Sequence, residues 1–268
     1  MFQITVLVLY AGAGLLLAAG QVPRYEHRHE LLFWISLPLA LAGLLAHEQL
    51  LAREILVGDA LRLSIFSMTS LAGWQVAILA TLAALRQRLR GLSAMLFLVA
   101  GVAAVGTALT SEANVTSSLT WQLRTHVMLS MFAYSLLAVG AVLAFAALHQ
   151  DRLLRRAKMG LYTRLMPPLE TMESLLYGVA TAGFLCLLLA VFSGLVRVEN
   201  LFAQHLLHKS VLSFIALGLF GLLLIGRQLA GWRGRRAIYL YLGGFFTLVL
   251  AYYGSKIVLE YILHRPWG

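Results

Sequence analysis

A chain of 268 residues that is 60% hydrophobic and 12% charged, with a mean hydropathy of +0.83, has too little polar surface to cover a soluble globule and reads as an integral membrane protein. Its net charge of +10 is scattered through short loops instead of gathered on one folded domain, which argues against a nucleic-acid partner and leaves membrane topology as its explanation. The one cysteine, Cys186, excludes an intrachain disulfide and Cys-x-x-Cys redox chemistry, and its mid-span place predicts a small core residue.

A bilayer core about 30 Å thick needs roughly 20 apolar helical residues, because each backbone amide must be satisfied within its own segment. Apolar stretches of that kind fall at 3–20, 31–47, 62–84, 92–110, 127–148, 174–196, 209–226 and 238–262. The first has no basic residues before it and runs from Gly20 straight into Gln21-Val22-Pro23-Arg24, so it is expected to be kept and not cleaved as a secretory signal. Continuous apolarity argues against a barrel, whose strands would alternate over about 10 positions. The predicted fold class is all-α, a polytopic bundle of about eight spans.

Loops after the first, third, fifth and seventh spans carry fourteen of the 21 Lys and Arg residues. The positive-inside rule makes that side cytoplasmic and puts both termini outside. The segment Ser111–Thr125, with Trp121 as an interfacial anchor, precedes the fifth span. After it, Asp151–Arg164 sets Leu153, Leu154, Leu161 and Tyr162 against five basic residues, a pattern that suits an amphipathic helix on anionic headgroups, ended by Pro167 and Pro168.

On this topology four separate helix ends bring imidazole to the outer surface: His47 closes the second span, His126 opens the fifth, His205 and His208 precede the seventh, and His264 follows the eighth. Two imidazoles from different helices can hold an iron axially, while a lone interfacial histidine can equally well bond headgroups or backbone. His27 and His29 read as solvated loop residues. In the eighth span Lys256, Glu260 and His264 recur every four residues and share a face that must avoid lipid. They form either a self-neutralising structural pair or a charged wall beside an anionic ligand, with Lys256 and Arg124 as candidate partners for carboxylates such as haem propionates. No phosphate-binding glycine loop, dinucleotide fingerprint, His-Glu-x-x-His pair or nucleophile–base–oxyanion set is found, so no enzyme is predicted.

Gly231-Trp232-Arg233-Gly234-Arg235-Arg236-Ala237 with Ala251-Tyr252-Tyr253-Gly254-Ser255, Arg124-Thr125-His126 with Ser130 and Ala133-Tyr134, and His208-Lys209-Ser210-Val211-Leu212-Ser213 resemble the last inner loop, the final helix and two histidine-bearing helix starts of the cytochrome c assembly superfamily of CcsA/CcmC type. Met166-Pro167-Pro168-Leu169-Glu170 and the eight-span length resemble its YpjD/HemX-like inner-membrane branch. The likeness divides the chain into two N-terminal spans, 1–60, and a six-helix assembly-like domain, 61–264.

The resemblance implies a non-enzymatic, haem-binding or haem-handling protein of the bacterial inner membrane. Haem would be its cofactor or cargo, and the lipid bilayer and cytochrome c maturation components or apocytochrome c its partners. It implies His126 as one axial ligand, with His264 or His208 opposite; His47 joins this outer group as a candidate by the topology alone. Better-known members cradle haem with a Trp-rich, Trp-Asp segment; in its place this chain has Gly194–Leu207, which holds neither Trp nor Asp. That departure keeps an alternative open: a haem-free membrane regulator or assembly scaffold that docks a cytoplasmic partner through its basic inner loops.

Overall fold

The computed structural model describes residues 1–57, 60–62, 64–109, 115–116, 121–158, 160–195 and 204–254. Nine α-helices lie among them: α1 (Phe2–Ala19), α2 (His29–Ile55), α3 (Ile65–Ala84), α4 (Arg90–Gly106), α5 (Trp121–Arg155), α6 (Leu161–Leu165), α7 (Leu169–Leu195), α8 (Gln204–Ala230) and α9 (Arg235–Val249), the last passing into a π-helical turn at Leu250–Gly254. Eight helices are long and apolar enough to cross a bilayer. The all-α membrane fold expected from the sequence is therefore present, and each expected span has its helix.

Several helices outrun the apolar stretch that announced them. α2 continues two turns past His47, because Leu50 and Leu51 are buried there and Arg53 lies 4.3 Å over the Phe2 ring. α5 runs through Gln150 and Asp151 to Arg155 instead of breaking into a separate helix at 151, helped by an Asp151–Arg155 pair at 3.1 Å one turn apart. It ends where Ala157 takes a φ of +52. The Lys158 and Ala157 amides then donate to the carbonyls of Leu153 and Leu154, which closes the helix in a Schellman arrangement. What remains of the expected amphipathic helix is the five-residue α6. Its Tyr162 hydroxyl donates to the Ala146 carbonyl and its ring meets His149 edge to face, and burial pushes the Tyr162 phenol pKa above its ordinary value.

β1 (Leu56–Val57), β2 (Ala60–Arg62) and β3 (Val115–Thr116) pair as a small antiparallel ribbon in that order, with Leu56 opposite Leu61 and Leu61 opposite Thr116, where the sequence reading expected loop and, at Arg62, the start of the third span.

The helices pack as two compact units, Met1–Ser118 with Ala146–Met172, and Leu119–Phe145 with Glu173–Gly268. In the first, α1 is held by α2 and α4, and α3 by α2 and α4. Small residues permit the close approach that drives association where lipid supplies no hydrophobic gradient. A Cβ on Gly14 would sit 3.1 Å from the Ala94 carbonyl oxygen, and one on Gly43 would lie 2.7 Å from the Tyr10 ring. Leu15, Trp34, Leu45 and Val102 point outward, as lipid contact requires. Ser64 caps α3 reciprocally with Ser67, each side chain accepting from the other's backbone amide.

Arg90 opens α4 nearly buried. It bonds the Glu30 carboxylate at 3.0 Å, approaches the Ala84 and His29 carbonyls at 3.4 and 3.5 Å, and lies 4.2 Å over the Phe33 ring. Arg90→Met should lower stability by about 1–3 kcal/mol, since the carbonyls lose a charged donor while the exposed Glu30 is resolvated. A thermal melt of the detergent-solubilised protein measures it.

In the second unit, α5 meets α9 where Gly140 leaves room for the Tyr241 hydroxyl, which donates to the Leu137 carbonyl at 2.9 Å. Phe220 of α8 packs edge-on against Tyr241, and Gly183 of α7 receives Leu137.

Candidate functional site

His126 lies one and a half turns inside α5, half-buried, with Nδ1 2.9 Å from the Ser193 hydroxyl of α7. Ser193 in turn donates to the Ala190 carbonyl at 2.8 Å. A serine hydroxyl carries one proton, so with that proton on Ala190 the imidazole Nδ1–H must be the donor to Ser193. The histidine is thereby held as the Nδ1–H tautomer, with its lone pair on Nε2, the state in which an imidazole can ligate a metal, and a partner on the other nitrogen is the usual means of orienting such a ligand. The next residue, Gly194, is small for a reason: a Cβ there would stand 3.2 Å from Cε1 of His126.

Two turns further along α5, Tyr134 donates to the Leu248 carbonyl at 2.9 Å and its ring meets that of Tyr252, which meets Tyr253. Leu248 lies just before α9 passes into its π-helical turn at Leu250–Gly254, so the Tyr134 hydroxyl ties α5 to α9 at that point. The Ala133-Tyr134 and Ala251-Tyr252-Tyr253-Gly254 motifs, 118 residues apart at Tyr134 and Tyr252, are thus two halves of one α5–α9 contact.

Of the other expected site residues, Arg124 is exposed on α5. His208 belongs to α8, but its side chain, like all of Lys256 and His264, lies outside the described residues. His47 is fully buried inside α2 in the first unit and not at a helix end. Its Nε2 is 2.9 Å from the Ser70 hydroxyl and its Nδ1 3.3 Å from the Tyr10 hydroxyl, so two protein partners occupy both ring nitrogens. Cys186 is half-buried and unpaired. Among the described residues no three His, Cys, Asp or Glu side chains come together as a metal cluster; axial ligation of a haem needs only one or two imidazoles.

Sequence reasoning missed Ser193, Tyr10 and Ser70, single hydroxyls in apolar helices with no spacing signal. Gly194 was visible only as the first residue of the segment standing where a Trp-Asp motif was expected.

Residues 32–263 match the family model described as Cytochrome C assembly protein. The chain is 35% identical over 137 residues to the Inner membrane protein YpjD of Escherichia coli (strain K12), an alignment covering 51% of this chain and 52% of that protein. It is 33% identical over 141 residues to an Azospirillum brasilense protein described as an uncharacterized 28.8 kDa protein in a nifR3-like 5' region, covering 52% of each. The alignments span about half the length of the curated relatives they match. No solved structure matches the chain. With a family match across most of its length and eight membrane-length helices, the chain is a multi-pass inner-membrane protein belonging to the cytochrome c assembly protein family.

Proposed function

We propose that this protein handles haem without catalysing a reaction, with both termini outside and His126 as an axial ligand near the outer face. The observation that carries the reading is the Ala190–Ser193–His126 relay, which fixes the imidazole in the tautomer that iron ligation at Nε2 requires. The described residues fit a haem on that one side. His264 or His208 is the proposed opposing ligand, and Lys256 and Arg124 are proposed to lie toward the propionates. When bound, haem would supply a redox-active iron or be passed on as cargo; the chain's own part is to hold, orient and release it. Cytochrome c maturation components or apocytochrome c are the proposed recipients. His47, with both nitrogens held by Tyr10 and Ser70, is proposed as a packing residue and not a ligand.

The test is a reduced-minus-oxidised and pyridine haemochrome spectrum of the detergent-purified protein. His126→Ala should lower haem per protein at least roughly tenfold, and Ser193→Ala should lower affinity by about tenfold while keeping the wild-type Soret form, since it removes the orienting partner and not the ligand. An unchanged spectrum and stoichiometry in His126→Ala would defeat the ligand assignment. A folded wild type that stays haem-free after supplementation would favour the haem-free scaffold, a reading supported by the exposed Arg233 between α8 and α9 and the exposed Arg235 and Arg236 that open α9.

A further inference from the structure

The connection between α8 and α9 is built more tightly than joining two helices requires. Gly231 and Gly234 both take left-handed φ, +61 and +62, a conformation that side-chain-bearing residues rarely adopt. Between them the Trp232 ring lies on Gly226, where any Cβ would run into the indole, and the Trp232 amide donates to the Gly226 carbonyl. The Trp232 carbonyl accepts from the Tyr177 hydroxyl at 2.6 Å and from Arg227 at 3.5 Å, and Arg227 pairs with Glu173 at 3.2 Å. Arg227 is thus largely occupied in holding the loop.

Two further arginines face outward from this scaffold. The Arg236 guanidinium is stacked 3.9 Å over the Trp232 ring, and Arg233, its side chain 70% exposed, has only a long 3.7 Å approach to Glu173, which Arg227 already holds. One carboxylate therefore serves two arginines while Arg236 lies over the adjacent Trp232 ring, leaving excess positive charge. A guanidinium stacked on an indole keeps its in-plane N–H donors at its edges, the arrangement that receives two oxygens of a phosphate. The loop joins two membrane-length helices, and Leu229, two residues before Gly231, is 84% exposed. An arginine pair, an indole and an open apolar side chain at the end of a span match a phospholipid better than a soluble anion.

We infer that Arg233 and Arg236, on the Trp232 platform, form a binding site for the phosphodiester headgroup of an anionic phospholipid. The site is independent of haem and involves none of the residues proposed to hold it.

The test uses the full chain purified into mixed micelles of phosphatidylcholine and phosphatidylglycerol, with retained lipid counted by native mass spectrometry. Wild type should retain phosphatidylglycerol over phosphatidylcholine. Arg233→Gln with Arg236→Gln, leaving Arg227 and Glu173 in place, should reduce that retention roughly tenfold, and Arg86→Gln, an exposed arginine of the other unit, should leave it unchanged. Equal retention by the double variant, or no headgroup preference in wild type, would overturn the inference. Displacement of the lipid by millimolar inorganic phosphate would overturn it in favour of a free-phosphate site. If the double variant fails to insert, the wild-type headgroup comparison and phosphate competition decide alone.

Discussion

Replacing Gly140 with alanine is expected to destabilise the second unit by about 3 kcal/mol or more. The added methyl would occupy the place of the Tyr241 hydroxyl, which is buried and donates to the Leu137 carbonyl. Neither helix has an easy retreat: Phe220 packs on the other side of Tyr241, and Leu137 is itself lodged against Gly183. The strain and the lost buried hydrogen bond therefore fall on the same contact. Tyr241→Phe alone should cost about 1 kcal/mol, and combined with Gly140→Ala it should recover part of the loss, because the hydroxyl is the nearest clashing atom and the ring carbon behind it is the next. Thermal melts or denaturing-detergent titrations of the four proteins give the coupling. Additive losses would show that the two residues do not share a contact.

His47→Leu should destabilise the first unit by about 1–3 kcal/mol. The substitution nearly preserves volume but leaves two hydroxyls, Tyr10 and Ser70, facing an apolar side chain deep in the bundle. The lower end of that range applies if those hydroxyls find backbone carbonyls, as they commonly do within membranes. The triple variant Tyr10→Phe, His47→Leu, Ser70→Ala should be markedly more stable than His47→Leu alone, because no polar atom is then stranded. The same melts read it, and haem stoichiometry gives a second readout: it should be unchanged in folded His47→Leu and lost in His126→Ala. Haem loss in both would return His47 to the ligand set.

The spans, the fold class and the family were legible in the chain itself. Membrane insertion depends on length and apolarity, which are properties of a linear segment, and the motifs around His126, Tyr134 and Tyr252 are local strings. Helix ends were less legible, since an apolar window stops at the last hydrophobic residue. α2 and α5 instead stop where packing and capping stop, at Ile55 and at the Leu153–Lys158 turn.

The histidines show the sharper division. In the sequence His47 and His126 are equivalent, each an imidazole at the edge of an apolar run. The tertiary structure separates them by their neighbours. His47 meets a hydroxyl on each nitrogen from α1 and α3, which makes it a cross-link between helices. On His126, the Ser193 hydroxyl, whose own proton goes to the Ala190 carbonyl, meets Nδ1 and favours the Nδ1–H tautomer. Which partner reaches which ring nitrogen depends on helix rotation and depth, and these are set by side-chain packing across helices far apart in the chain; no spacing rule within one segment encodes them.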